Sequence, residues 1–510
     1  MKGPHNIWRL IRTGATFERT GAMGAVLEAF DAPRPLRIAA RLLGWPFKGL
    51  GYEGDPAVAP VPRALTALGP AYIKFGQILS TRPDVVGDEL ANQLRILQDK
   101  LPPFSIDAAK RQIEAELGFP IDEMFSEFSE PVAAASIAQV HHARRADTGE
   151  VVAVKVLRPG IERAFRRDID AFYFSADVIE LLSPASRRLR PREVIAHFEG
   201  VVTGELDLRL ESASASEFAA NTTQDDGFQL PEIVWGLSGR RVMTMTWAEG
   251  VPLGDNAAID GAGHDRAVLS ERVLQLFLNH ALRDGFFHAD MHQGNLKVAP
   301  NGDIVAFDFG IMGHIDEYTR RVYAEILYGF IRRDYKRVAE VHFEAGYVPN
   351  DRDVDEFARA LRAVGEPIFG MDSTRISMAR LLSYLFEVTE RFGMETRTEL
   401  ILLQRTMVVV EGVARSLNPH MNIWHVAHPV VEAYIKTSIG PKAALNDIAK
   451  TARVLARFGP RLPGLVEAAL IRQAEDRSPP RPTLWRTRIA WSGVGIALGA
   501  TAVLVWHSLA

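Results

Sequence analysis

Apolar positions recur at helical spacing over most of this chain. The spacing predicts helices within residues 1–47, through Phe30 and again from Leu36 to Leu43. Lys48 to Pro62, rich in Gly and Pro, reads as a linker. Helical spacing returns over Arg63–Ser80 and Ile106–Leu117. Then the period changes. Pro131 to Ser136 is a run of very small side chains, followed by Ile137–Arg144, a turn at Asp147-Thr148-Gly149, and Val151–Val156. Two antiparallel strands behind a small-residue loop are expected. Alternation puts Lys155 with Ala153 on one face and Val152, Val154 and Val156 on the other. Helices are predicted over 161–182 and 193–221, and strands over Pro231–Trp247, ended by Ala248-Glu249-Gly250. A helix at Leu269–Leu282 leads into a polar stretch, His288–Gly310, with a short apolar strand, Ile304–Phe307, inside it. Further helices fill 316–332, 335–345, 353–365, 373–393, 397–416 and 441–475. Gln404 and Arg405 interrupt the apolar run of 397–416, which makes it a buried core helix rather than a membrane span.

One later segment breaks this pattern. From Ile489 to Trp506 there are 18 residues without a charge. As a helix they reach about 27 Å, against a hydrocarbon core of about 30 Å. Trp485 and Trp506 suit the two interfaces, and Arg477, Arg481, Arg486 and Arg488 place the main body on the cytoplasmic side. A single transmembrane helix is therefore expected, the alternative being a buried helix of a soluble domain. Gly495 and Gly499 form a GxxxG pair that could join two copies as a homodimer. Arg9, Arg12 and Arg19 interrupt any signal-peptide core. The net charge of −4 over 510 residues gives no reason to expect a nucleic-acid partner. The chain has no Cys, so thiolate nucleophiles, disulfides and Cys-based zinc sites are excluded.

The candidate chemistry lies between His288 and Gly310. His288-Ala289-Asp290-Met291-His292 offers an Asp with Asn295 five residues on, and Asp308-Phe309-Gly310 follows the short strand. Two carboxylates and an amide on adjacent loops suit a divalent metal and a nucleotide phosphate. His288, Asp290 and His292 could alternatively be read as transition-metal ligands. Lys155 in its apolar strand either reaches water from an edge or needs an anionic partner. Glu205, Asp207 and Glu211 lie on the following helical stretch, with Asp207 and Glu211 four apart and on one face. They form either a solvated face or that partner. In Lys74-Phe75-Gly76-Gln77, Lys74 and Gln77 are three apart, and a mid-helix Gly76 suggests close packing.

The order small-residue loop, strand Lys, helix acid, strand and linker, Asp with Asn five on, and Asp-Phe-Gly is that of kinase-like phosphotransferases. The chain closely resembles the UbiB (aarF/ADCK) family of atypical kinase-like proteins over residues 60–440. The residues that carry the likeness are Lys74-Phe75-Gly76-Gln77, Pro131 through His141, Val154-Lys155, Glu205-Leu206-Asp207, His288 through His292, Gly294-Asn295 and Asp308-Phe309-Gly310. Gln293 stands where the family usually has Pro. The resemblance implies an α+β, two-lobed, protein-kinase-like fold with a helical extension. Its divisions are helices and linker (1–62), the extension (63–120), N-lobe (121–250), C-lobe (251–440), C-terminal helices and linker (441–482) and anchor (483–510). It implies ATP and Mg²⁺ as cofactors, with Asn295 and Asp308 as metal ligands. Asp290 would orient or deprotonate an acceptor, and Lys155 would hold the phosphates while paired with Glu211. Val132, Ala133, Ala134, Ala135, Ser136, Ile137, Ala138, Gln139 and Val140 would form the phosphate loop, and Met245 to Ala248 the adenine-contacting linker. Lys74 and Gln77 would cover the site by meeting Glu205 and Asp207. The implied role is ubiquinone biosynthesis at the bacterial inner membrane. The implied partners are membrane lipids, quinone precursors and ubiquinone-biosynthetic enzymes. Few residues separate Gly310 from the next helix, and no Ala-Pro-Glu follows, so a protein substrate is not expected.

Overall fold

The valine face of one strand organises the first sheet. In the computed structural model, β1 (Phe125–Ala134), β2 (Ala138–Arg145), β3 (Val151–Leu157) and β5 (Val242–Thr246) are antiparallel in the order β1-β2-β3-β5. Val152, Val154 and Val156 pack with Phe125, Ala143, Val242 and Ile113 in an apolar cluster. Ala153 and Lys155 face the other way, as alternation predicts. The structure describes residues 4–29, 38, 45–80, 86–94, 96–97, 102–182, 190–369, 384, 387–388, 391–394 and 398–438.

The helices that surround this sheet correct several sequence expectations. Before the sheet come α1 (Pro4–Thr20), α2 (Ala22–Ala29), α3 (Pro60–Leu68), α4 (Pro70–Ser80), α5 (Asp88–Leu94) and α6 (Ile106–Leu117). The helix expected over 63–80 breaks at Gly69, whose φ is +111°. The linker at 48–62 is partly folded. A 3-10 turn, Trp45–Leu50, overlaps its start, and a Cβ at Gly51 would lie 2.4 Å from the α1 backbone at Ala15. The small-residue loop is shorter than expected, because β1 runs to Ala134 with register shifts around Pro131. An edge strand tolerates that proline. After the sheet come α7 (Ile161–Leu182), α8 (Pro191–Glu205) and α9 (Leu208–Thr222). The last two replace the single helix expected over 193–221. Asp207 caps α9, its side chain accepting from the Arg209 amide, so the chain must leave α8 just before it. Of the strands expected over 231–247, β5 forms, Trp235–Leu237 is a 3-10 turn and Ile233 makes an isolated bridge to Met245.

A second sheet carries the polar stretch. β4 (Phe228–Gln229), β6 (Val251–Pro252), β8 (Leu296–Val298) and β9 (Ile304–Ala306) stand in the order β4-β9-β8-β6, and β7 (Phe286–His288) pairs separately with β10 (Met312–His314). Around them lie α10 (Asn256–Gly261), α11 (Arg266–Asn279), α12 (Glu317–Ile331), α13 (Tyr335–Glu344), α14 (Val354–Phe369), α15 (Thr398–Leu417) and α16 (Ile423–Ser438). The helix expected over 269–282 ends instead at Asn279, in a π-turn at His280–Asp284. Asp225 fastens that turn, accepting from Arg283 through both oxygens and lying 3.0 Å from His280 Nε2. One apolar core joins α4, α7, α8, α9, α11, α15 and the strands β7 to β9.

Several expectations fall outside the described residues. These are the helix at 36–43 apart from Ile38, most of 373–393, residues 441–482 and the anchor at 483–510 with Gly495 and Gly499. Among the described residues, no helix is long and apolar enough to cross a membrane.

Candidate active site

Three elements converge on one ammonium group. Lys155 projects from β3, and its Nζ lies 2.6 Å from Glu211 Oε1 and 3.7 Å from Asp308 Oδ1. Glu211 sits in the first turn of α9, in the register that the Asp207 cap sets. The Lys155 and Glu211 side chains are nearly buried, whereas that of Asp308 is 44% exposed. Burial alone would lower the Lys155 pKa. The Asp308 and Glu211 carboxylates outweigh it and hold the ammonium above its ordinary range. The same ammonium, opposed by partial desolvation, holds Asp308 below the usual carboxylate range. Burial pushes Glu211 upward against the pull of Lys155. Lys155 therefore meets its expected partner, and it also reaches the Asp-Phe-Gly carboxylate.

The polar loop is braced from all sides. The Ala289 amide donates to the Ile311 carbonyl at 3.0 Å, and Met312 pairs with His288 across β10 and β7. Thr406 Oγ1, on α15, donates to the Ala289 carbonyl at 3.1 Å. Asn295 Nδ2 donates to the Asp290 carbonyl at 3.0 Å and lies 3.5 Å from Asp290 Oδ2. With its amide NH₂ so engaged, Asn295 Oδ1 is left to accept. Asp308 Oδ1 takes the Gly310 amide at 3.1 Å, which leaves its second oxygen available. Two hard oxygen ligands suit Mg²⁺, which keeps waters and phosphate oxygens for its other positions.

The His/Asp metal reading fails on geometry. His288 Nδ1 accepts the Asp290 amide at 3.1 Å, and His292 Nδ1 accepts the Gly294 amide at 3.0 Å. Burial keeps His288 below the ordinary histidine range, its ring 6.2 Å from that of Phe309. Among the described residues, no group of three acidic or imidazole side chains could hold a metal.

The small-residue loop is anchored to the extension. Gln139, counted from the sequence among the phosphate-loop residues, spends its side chain elsewhere. Its Oε1 accepts the Phe104 amide at 3.0 Å, its Nε2 donates to the Phe104 carbonyl at 3.3 Å, and His141 Nε2 lies 2.8 Å away. Arg158 donates to the carbonyls of Ala135, Ser136 and Pro102 and lies over the Phe104 ring. Val132 and Ala133 are exposed, Ala134, Ala135, Ile137 and Val140 half-buried, and Ser136, Ala138 and Gln139 buried.

The cover over the site is half as expected. Lys74, on α4, pairs with Glu205 at 2.8 Å at the end of α8, both side chains being nearly buried. Glu205 also adds to the field that raises Lys155. Gln77 and Asp207 do not meet. Gln77 donates to the Leu97 carbonyl at 3.4 Å, and Asp207 takes both Arg209 Nε and Nη2 while capping α9. A Cβ at Gly76 would come within 2.4 Å of Leu97 and 2.6 Å of Leu65, so the close packing is real. Thr406, Arg158, Phe104 and Lys297 were not singled out in the sequence. Each is a lone residue whose contacts lie on a distant element, and no local pattern marks it.

Comparisons with known proteins bear on the family and the fold. A family model described as the ABC1 atypical kinase-like domain matches residues 96–342, and one described as the UbiB helical domain matches 361–422. A protein named "Probable protein kinase UbiB" from Aeromonas hydrophila is 40% identical over 443 residues, 86% of this chain and 81% of that protein. A protein of the same name from Marinobacter nauticus is 38% identical over 91% of this chain and 85% of its own length. A solved structure of a Rv3197–erythromycin complex from Mycobacterium tuberculosis is 28% identical, with a TM-score of 0.50 over 70% of this chain and 90% of that one. The described fold is thus a kinase-like α+β fold.

Proposed function

We propose, for a chain that belongs to the UbiB family of ABC1 atypical kinase-like proteins, an ATP-binding, Mg²⁺-dependent kinase or ATPase activity that supports ubiquinone biosynthesis. The observation that carries the reading is Lys155 held between Glu211 at 2.6 Å and Asp308 at 3.7 Å, with the carbonyl of Asn295 accepting the amide of Phe307, the residue before Asp308, at 3.3 Å. Lys155 presents a fixed positive charge to the phosphates, and Glu211 orients it. Asn295 and Asp308 would hold Mg²⁺, which when bound neutralises charge on the nucleotide phosphates. Asp290, braced through its carbonyl by Asn295, orients an acceptor hydroxyl or water and takes its proton.

The acceptor we favour is a small molecule or water rather than a protein. After Gly310 the chain enters β10, pairs with β7, and starts α12 at Glu317. That leaves little chain to dock a peptide. Quinone precursors at a bacterial inner membrane, with residues 483–510 as the anchor and the main body cytoplasmic, complete the proposal. Nucleotide titration of the full-length protein tests it. Asp308→Asn should abolish Mg-nucleotide binding, and full affinity in that variant would refute the assignment. Asp290→Asn should keep binding and lose turnover. If Asp290→Asn still restores quinone synthesis in a deficient strain, the protein acts as a nucleotide-binding scaffold for the biosynthetic enzymes.

A further inference from the structure

The site leaves one cation unexplained. Lys297 lies in the middle of β8 and is half-buried. Its Nζ donates to the Ala248 carbonyl at 2.7 Å and stands 5.0 Å from the Trp247 ring centre and 5.5 Å from that of Phe307. Among the described residues no carboxylate pairs with it. An ammonium placed so has lost part of its hydration for one hydrogen bond and two ring faces. An aliphatic side chain would fill the same place without that cost.

Its position says what it could meet. On β3, Lys155 and Ala153 share a face, and the strand then runs to Val151, whose carbonyl takes the Trp247 amide at 3.1 Å. Opposite, Lys297 follows Asn295 by two positions and touches Phe307, the residue before Asp308. Two strand residues span roughly 6.6 Å. Both walls therefore run from the phosphate end to the linker at Thr246–Ala248, over similar lengths. With phosphates at Lys155, the base of a nucleotide would lie between Ala153 and the Lys297–Phe307 wall, its edge toward the linker.

We propose that Lys297 reads that base, and that its ammonium admits 6-oxopurines, so that GTP binds at least as tightly as ATP. An ammonium has three N–H donors and no acceptor. One N–H is used on Ala248, and the others need acceptors. Guanine and hypoxanthine offer O6 and N7 on one edge, the pair that lysine takes in guanine recognition. Adenine offers N7 beside an amino donor, which faces the ammonium unfavourably. The inference rests on the nucleotide reading above and changes only its base preference.

The test compares MgATP, MgGTP and MgITP on full-length wild-type protein and on Lys297→Leu by titration calorimetry. ITP separates the 6-oxo group from the 2-amino group of guanine. In wild type the GTP and ITP affinities should equal or exceed that of ATP. Lys297→Leu should lower the ratio of GTP or ITP to ATP affinity by about tenfold, hold ATP affinity within about threefold, and keep its melting temperature. An unchanged ratio in Lys297→Leu overturns the inference while leaving the nucleotide site intact. An equal loss for all three nucleotides also overturns it, since that marks a structural role. If wild type binds none of them, the nucleotide reading itself falls.

Discussion

Glu211 holds the Lys155 ammonium away from Asp308, and replacing it with Gln should show how much. Glu211→Gln keeps the volume and one acceptor oxygen but removes the charge. With an effective dielectric of about 20, a unit pair is worth about 6 kcal/mol at the 2.6 Å of Lys155–Glu211 and about 4.5 kcal/mol at the 3.7 Å of Lys155–Asp308. The ammonium therefore stays with Glu211 by about 2 kcal/mol. Without that charge it should close on Asp308 to about 2.8 Å, which adds about 1.5 kcal/mol to the new pair. A metal ion must then displace it from that carboxylate. Because Asp308 is 44% exposed, solvent screening trims the effect to about threefold to tenfold. The Mg²⁺ concentration that half-saturates nucleotide binding should rise by that factor. Stability should fall by less than the roughly 3–5 kcal/mol expected when a buried charge is orphaned, since Asp308 takes over as partner. A Mg²⁺ titration at fixed nucleotide and a urea melt measure both. An unchanged Mg²⁺ midpoint in a folded Glu211→Gln protein would refute the spacer role. A loss of the full 3–5 kcal/mol would show that the ammonium is stranded rather than transferred.

Two further outcomes follow from buried groups. Burial lowers His342 from 6.5 to about 4, its Nδ1–H donating to the Val338 carbonyl and its ring packing on Tyr347 and Phe357. The unfolded chain binds this proton first, so the contribution is present above pH 6.5 and is lost as pH falls toward 4. The span is worth about 3 kcal/mol, and urea midpoints of His342→Gln should lose that part of the pH slope; an identical slope counts against it. Lys74→Met should destabilise by about 3–5 kcal/mol by leaving Glu205 charged and buried, and Lys74→Met with Glu205→Gln should recover part of it. Additive losses in urea melts would show that the two do not form one unit.

The parts that were legible in the sequence share a physical cause. The valine face of β3 was plain because one side of the strand is buried and the other carries Ala153 and Lys155. That Lys155 needs an anion was legible because a lone ammonium in an apolar strand is costly; that Glu211, rather than Glu205 or Asp207, supplies it was implied only by the family resemblance. β1 was missed because it is an edge strand. Its residues Ser126, Glu127 and Val132 are exposed, so no alternating apolar face marks it. The break between α8 and α9 was missed because Asp207 looks like one more acid on a helix face until it is seen as a cap. The same fact explains why Asp207 does not meet Gln77: its oxygens are spent on the Arg209 amide and guanidinium.

The anchoring of the small-residue loop changes what kind of part it is. To lift from the site, it must release two Gln139 hydrogen bonds to Phe104 and the Arg158 hydrogen bonds to Ala135 and Ser136. At about 0.5–1.5 kcal/mol net for each, that is several kcal/mol. Moving the loop together with the segment at 102–104 spares the two Gln139 bonds but breaks all three that Arg158 makes. That segment leads directly into α6, whose Ile113 packs on the valine face behind Lys155. The segment before α6 and helix α4 are thus tied to the elements around Lys155, on the loop side by Gln139 and Arg158 and on the helix side by Lys74 and Glu205.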